Sequence, residues 1–406
     1  MRTVDEHLAE ILARIAPLGP MELHLLDAHG CVLAEDVVAP APLPGFDNSA
    51  MDGYAVRAAD IAGATPQSAV SLPVIGDIAA GTQKILSIGS GVCARIMTGA
   101  PIPPGADAVV PVEWTDGDPR QVRIGNQPAV GAFIRRAGED VRAGDVVATT
   151  GALIGATQVG LLAAVGRRTV VVRPKPRVVV ISTGAELVDL GAPLGYGQIV
   201  DSNSYALTAA VREAGAIAYQ VGIVPDDARA LTRAIEDHLI QADLIVTSGG
   251  VSVGAYDVVK AVLGALGTVG FHQVAMSPGM PQAFGVVGDD IPIFGLPGNP
   301  VSALVSFEVF VRPALRRMLG TEPLGRPQVT AMLTQPIRKT AGKRQFLRVY
   351  VSRQGDQVLA EPTGAQGSHL LAGLAAANGL AVIAEEVTDL PAGAPVPIWL
   401  LERRGR

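Results

Sequence analysis

Aromatic residues are scarce in this chain, at 4% of 406 positions. Hydrophobic residues reach 49%, so the apolar mass is Ala, Val, Leu and Ile, which suits buried parallel strands and close helix packing. There are two cysteines, Cys31 and Cys93, far apart in the chain. That excludes a disulfide framework and a cysteine-rich zinc site, and both thiols are expected to be reduced core residues of a cytoplasmic protein. Basic residues never run longer than a pair, as at Arg403-Arg404, and the formal net charge is -6; no nucleic-acid partner is expected. The histidines, at 7, 24, 29, 238, 272 and 369, form no H-x-x-x-H pair, so spacing points to no histidine-ligated metal. Neither G-x-x-x-x-G-K-[ST] nor G-x-G-x-x-G occurs, which removes the P-loop and the dinucleotide fingerprint.

Long apolar spans are missing too. Residues 146–166 and 261–288 carry no Asp, Glu, Lys or Arg. The first is broken by Gly151, Gly155 and Gly160, the second by Pro278 and Pro281, so both read as strand-and-turn segments and no membrane partner is expected. The N-terminus is too acidic for a signal peptide and has no apolar core.

What is abundant is turn chemistry, with 47 Gly and 30 Pro, as many short strands and loops require. Thr3 and Glu6 make a capping-box pattern, and Val4, Leu8, Ile11, Leu12 and Ile15 follow at helical spacing. Residues 1–40 and 141–174 read as a helical and linker framework. Between them, 41–140 reads as an inserted β-rich domain, entered through Pro40, Pro42 and Pro44, with strands expected near 71–75, 91–97, 108–113 and 121–124. From 175 to 325, strands at 177–181, 219–224, 243–247, 269–276, 282–287 and 291–294 alternate with helices at 205–214, 228–240 and after Pro300. That alternation predicts a doubly wound, largely parallel α/β domain. Residues 326–406, mostly short strands, predict a C-terminal β-barrel. The fold class is thus multidomain α/β.

In an open parallel sheet, ligands bind beyond the carboxyl ends of the strands. Three loops leave strands there: Ser182-Thr183-Gly184-Ala185-Glu186, Thr247-Ser248-Gly249-Gly250-Val251-Ser252-Val253-Gly254, and Leu296-Pro297-Gly298-Asn299-Pro300-Val301-Ser302. Their small residues let backbone N–H groups approach an anion, which points to a phosphate- or oxyanion-bearing ligand. Glu186, Asp201, Asp226, Asp227 and Asp257 flank the same edge. Asp201 and Asp227 read as helix caps; several acids beside an anion site make sense if Mg²⁺ bridges them. Gly250-Val251-Ser252-Val253-Gly254 matches the nucleophile-elbow pattern, but the expected strand ends several residues too early for a serine hydrolase.

Together these segments resemble the MoeA family of molybdopterin molybdotransferases, relatives of the gephyrin E domain, over essentially the whole chain. The carriers are residues 44–56 (PGFDNSAMDGYAV), 95–100 (RIMTGA), Gly138-Glu139-Asp140, 182–187 (STGAEL), 248–254 (SGGVSVG) and 296–302 (LPGNPVS). The resemblance implies a homodimer whose active site lies between the α/β domain of one subunit and the inserted domain of the other. It implies adenylated molybdopterin and molybdate as substrates, Mg²⁺ as the ion and AMP as a product; a molybdopterin adenylyltransferase is a further partner to consider. By resemblance, Glu186, Asp226 and Asp257 belong near the nucleotide and metal, and Asp52, Thr98 and Asp140 on the facing surface. Ser182, Thr183, Gly184, Ser248, Gly249, Gly250 and Ser252 belong to the substrate-binding loops, and Pro278, Pro297, Pro300 and Ser302 lie beside the pterin or molybdate. Arg348 and Ser368 are expected to complete an oxyanion pocket. One departure stands out: many relatives read K-P-G-K-P where this chain has Ser277-Pro278-Gly279-Met280-Pro281. Two positive charges beside anionic ligands are absent, which leaves open a compensating Lys260, Lys339, Lys343 or Arg344, or a catalytically weak paralogue that binds molybdopterin as a scaffold.

Overall fold

The computed structural model describes residues 1–249 and 256–401. The chain divides into two compact units. One comprises Met1–Glu22, Gly30–Ala34 and Val171–Arg406; the other comprises Leu23–His29 and Glu35–Val170.

The second unit is built on a five-stranded sheet in the spatial order Ala108–Pro111, Gly53–Val56, Cys93–Ile96, Val70–Ile78, Gln121–Ile124. Alternate side chains of a strand point to opposite faces, and here both faces are covered. Tyr54 and Val56 enter one core with Ile61, Leu72 and Val122. Ala55 enters the other with Ile78, Ile96 and Val109. Gly53 permits the central pairing: a Cβ there would lie 1.9 Å from the carbonyl oxygen of Val110. Cys93 is buried among apolar side chains, which pushes its thiol pKa up to about 12. Cys31 is buried as well, and neither cysteine is part of a disulfide.

The first unit contains a six-stranded sheet in the order Ile217–Gln220, Arg177–Ser182, Leu244–Ser248, Ile291–Leu296, Pro281–Val287, Gly267–Gln273. The first four strands are parallel. The last two join antiparallel; Pro281–Val287 must run against Ile291–Leu296, because residues 288–290 are too few to cross over the sheet and can only reverse the chain. The strand Arg177–Ser182 shows why both faces must be covered. Val178 and Val180 pack with Leu207, Val211, Phe307 and Phe310; Val179 and Ile181 pack with Leu231, Ile235, Val259 and Leu263. Helices Asn203–Glu213 and Ala228–Glu236 supply part of these layers. The second stops short of the expected residue 240, giving way to a 3-10 turn at Leu239–Gln241. The N-terminal helix Val4–Arg14 has the reciprocal Thr3–Glu6 capping box and adds Val4 and Ile11 to the first layer.

The C-terminal strands close on themselves. Arg344–Gln354 pairs with Gln357–Pro362 and with Gly379–Ile383. Gln328–Leu333 pairs with Gln357–Pro362 and Pro395–Leu400, and Pro395–Leu400 returns to Gly379–Ile383. The result is a five-stranded barrel filled by Leu333, Leu347, Val349, Ile383 and Ile398. Among the described residues no helix is long and apolar enough to cross a membrane.

Candidate functional site

Three neighbouring parallel strands end level with one another: Ser182 is opposite Ser248, and Ser248 is opposite Leu296. The loops that follow are therefore adjacent. The Thr183 N–H donates to the Ser248 carbonyl at 3.0 Å, and the Gly249 N–H to the Leu296 carbonyl at 3.2 Å. Gly249 has φ +95°, and a Cβ there would sit 2.3 Å from the Thr183 carbonyl oxygen; only glycine accepts both the left-handed backbone and the close approach. Asn203, at the start of its helix, ties two loops together by donating from Nδ2 to Ser248 Oγ at 2.8 Å and to the Gly298 carbonyl at 2.7 Å.

These loops line a cavity of about 630 Å³, within the usual range for a small-molecule site. Of the residues singled out in the sequence, Ser182, Thr183, Gly184, Glu186, Asp226, Ser248, Gly249, Pro297, Pro300 and Ser302 all line it. Asp201 does as well, but its Oδ1 is occupied, accepting from Ser182 Oγ at 3.1 Å and from the Ser204 N–H at 3.1 Å. Asp227 caps its helix by accepting from the Ala230 N–H at 2.9 Å. Both acids expected to be caps are caps.

Glu186 and Asp226 are exposed acids on the cavity wall, and the Glu186 carboxylate folds over Gly184, where an added Cβ would meet it at 2.7 Å. Thr183 is 4% exposed and its hydroxyl has no hydrogen-bond partner among the described residues, so it can donate to a ligand oxygen or water. No Lys or Arg is among the described lining residues. None of the four candidates for replacing the lost lysines lines the cavity either, and Lys339 and Arg344 are engaged elsewhere. Lys339 Nζ donates to the Lys343 carbonyl at 2.7 Å, and Arg344 is paired with Asp5 and Glu385.

Other expected residues fall differently. Pro278 is not among the described lining residues, whereas Pro281 is. Arg348 is the residue expected, with Ser368, to complete an oxyanion pocket. It is 0% exposed, and its guanidinium donates to the carbonyls of Ala365, Gly367 and Leu370 and to Gln366 Oε1. A fork already satisfied by backbone carbonyls has little left for an anion, so Arg348 braces the loop that carries Ser368 and His369. Ser368 Oγ accepts from Asn299 Nδ2 at 3.0 Å, and its carbonyl accepts from the Val301 N–H at 3.1 Å. His369, from that same loop, lines the cavity. Gly250 and Ser252 lie outside the described residues. Asp257 belongs to the helix Tyr256–Leu266, and its side chain lies outside them too.

In the other unit, Asp52 and Thr98 meet directly: Asp52 Oδ1 accepts from the Thr98 N–H at 2.7 Å and from its hydroxyl at 2.8 Å. Those bonds hold the Asp52 pKa below the ordinary carboxylate value. Asp140, also exposed, borders a second hollow with Pro44, Arg135 and Glu139. Sequence reasoning missed Asn203, Asn299 and His369 as site residues. Asn299 stood inside a recognised loop; nothing local to His369 marked it.

A doubly wound sheet with an oxygen-lined cavity at its carboxyl edge, followed by a closed β-barrel, defines the class: a multidomain α/β protein for an oxyanion-bearing small molecule. Comparison with known proteins narrows it. Residues 2–166 match the MoeA N-terminal region (domain I and II), 179–317 a probable molybdopterin binding domain, and 330–401 the MoeA C-terminal region (domain IV). Molybdopterin molybdenumtransferase 2 of Mycobacterium tuberculosis is 48% identical over 98% of this chain and 99% of its own length. The molybdopterin molybdenumtransferase of Haemophilus influenzae is 38% identical over 98% of each. The crystal structure of a molybdopterin biosynthesis MoeA protein from Pyrococcus horikoshii superposes with a TM-score of 0.79 at 35% identity, covering 99% of both chains. The chain belongs to the MoeA family, the molybdopterin molybdenumtransferases of molybdenum cofactor biosynthesis.

Proposed function

We propose that this chain inserts molybdate into adenylated molybdopterin, with hydrolysis of the adenylate and release of AMP. The observation that carries the reading is the cavity itself, where three adjacent loops meet beside Glu186 and Asp226. Among the described lining side chains the metal-donor atoms are oxygen apart from those of His369, which fits a hard cation such as Mg²⁺. Such an ion is commonly held by one or two carboxylates, waters and substrate phosphates. Glu186 and Asp226, with Asp257 by resemblance, would hold it, and it would supply positive charge where the described lining residues include no Lys or Arg. The chain's own part is to orient the pterin adenylate. The Thr183 hydroxyl and the backbone N–H groups of the loops donate to its oxygens, and Asn203 keeps the loops together.

The same proposal includes a homodimer, in which Asp52, Thr98 and Asp140 of a second copy face the cavity, and a cytoplasmic setting. A molybdopterin adenylyltransferase is the natural supplier of the substrate.

The test is AMP release from adenylated molybdopterin, with and without molybdate and Mg²⁺, in wild type and Glu186→Ala. Release that needs both ions and collapses in the variant supports the transferase. Tight pterin binding without turnover supports the scaffold reading, which the loss of positive charge at Ser277 and Met280 would then explain.

A further inference from the structure

The N-terminal helix carries two side chains that the cavity does not use. His7 and Glu10 lie three residues apart on Val4–Arg14 and so share a face. His272, on the edge strand Gly267–Gln273, meets them there. One ligand atom from each of the three lies within 4.8 Å of the others, and the two imidazole rings stand edge to face with centroids 5.3 Å apart. His7 is 1% exposed, yet its Nδ1 has no hydrogen-bond partner among the described residues. The His272 ring lies over Gly270, where a Cβ would come within 2.5 Å of Nε2; the missing side chain leaves the ring its place. A cation is already drawn to the cluster, because Arg2 bonds Glu10 and its Nη1 lies 3.3 Å from His272 Nε2.

We propose that His7, Glu10 and His272 form a binding site for a divalent transition-metal cation of the Zn²⁺ type, with Arg2 as the internal cation that the metal displaces. Two imidazoles and a carboxylate are a ligand set that zinc takes in tetrahedral geometry, with water in the fourth position. At bond lengths near 2.0–2.1 Å, tetrahedral ligand atoms lie about 3.4 Å apart. The three side chains thus need to close by no more than about 1.4 Å from the 4.8 Å limit, within the reach of small rotamer changes. The Arg2 side chain is 41% exposed and can turn to solvent. The site differs in chemistry from the oxygen-lined cavity, since a hard ion such as Mg²⁺ prefers oxygen ligands. No local spacing announces it, because the strand that delivers His272 follows the helix by most of the chain.

The experiment uses the untagged full-length protein carrying Glu186→Ala and Asp226→Ala, so that the acidic cavity does not compete. Co²⁺ is titrated alone and followed by its visible absorption; Zn²⁺ affinity is measured against a chromophoric chelator. One equivalent is expected, with the intense absorption of tetrahedral Co²⁺. His272→Ala and Glu10→Gln should each weaken binding by at least the roughly tenfold that even an outer-shell partner contributes. Arg2→Ala, at a partly exposed position, should tighten it. The proposal is overturned if the protein binds no stoichiometric metal, if His272→Ala and Glu10→Gln bind as tightly as their parent, or if Arg2→Ala leaves the affinity unchanged.

Discussion

Asp52 and Thr98 are joined twice through one carboxylate oxygen, by the Thr98 N–H at 2.7 Å and by its hydroxyl at 2.8 Å. Both bonds favour the ionised acid and depress its pKa. A function that needs the Asp52 carboxylate is therefore present above that depressed pKa and lost as pH falls through it. Thr98→Val removes the hydroxyl bond and keeps the N–H bond. The acid limb of kcat/KM for AMP release should move to higher pH in this variant. An acid limb identical to that of wild type would remove Asp52 from the ionisations that matter.

Asn203 holds two cavity loops with one amide. Asn203→Ala loses both bonds, each worth about 1 kcal/mol. KM for the adenylated pterin should rise several-fold, while the loops lose alignment without loss of the fold. Steady-state kinetics together with a melting curve test this. An unchanged KM would mean that Gly249 and Leu296 set the loops by themselves.

Arg344 grips Asp5 with two hydrogen bonds of 2.7 Å, linking the N-terminal helix to a barrel strand. The hydrogen bonds from Arg344 lower the Asp5 pKa below its ordinary 3.8. A depressed carboxylate pKa adds stability that is present above 3.8 and disappears as pH falls through the lower folded-state value. The Asp5 side chain is 72% exposed, so solvent screening limits the gain to about 1 kcal/mol or less. Urea midpoints of Asp5→Asn and wild type should differ at neutral pH and converge in acid. A gap that persists in acid would assign the effect to packing.

Glu308 and Arg326 form a buried fork, with two bonds of 2.8 Å and side chains 12% and 2% exposed. Glu308→Ala takes away the carboxylate that accepts both of these bonds from a buried guanidinium, which costs about 3–5 kcal/mol. Thermal unfolding should show a drop of many degrees. A negligible drop would indicate that Glu213, at 4.0 Å, takes over the pairing.

Legibility followed the range of the causes. The strand at 177–181 and its neighbour ending at Ser248 could be read because a run of β-branched residues buried on both faces is a local signal. The antiparallel edge could not, since strand direction depends on how residues 288–290 close the chain rather than on strand composition. Among the cavity-lining residues, those inside the three loops were singled out because glycine and proline mark a backbone requirement in place. Asp52 and Thr98 were singled out only through the family motifs, for their contact spans 46 positions. His369 reaches the cavity through the barrel's return, and Arg348 is enclosed by residues 365–370; both are consequences of tertiary closure that no local pattern encodes.

The level ending of Ser182, Ser248 and Leu296 also limits how this protein can change. The ladder that aligns these three residues is the same one that sorts Val178 from Val179 between two cores. Deleting one residue from any of these strands would swap its two faces and pull one lip of the cavity back by about 3.3 Å. Strand length is therefore locked by folding, and ligand choice can drift only through the content of the loops. An engineer seeking a different oxyanion would vary Thr183, Ala185 and Asn299 and leave the strands untouched.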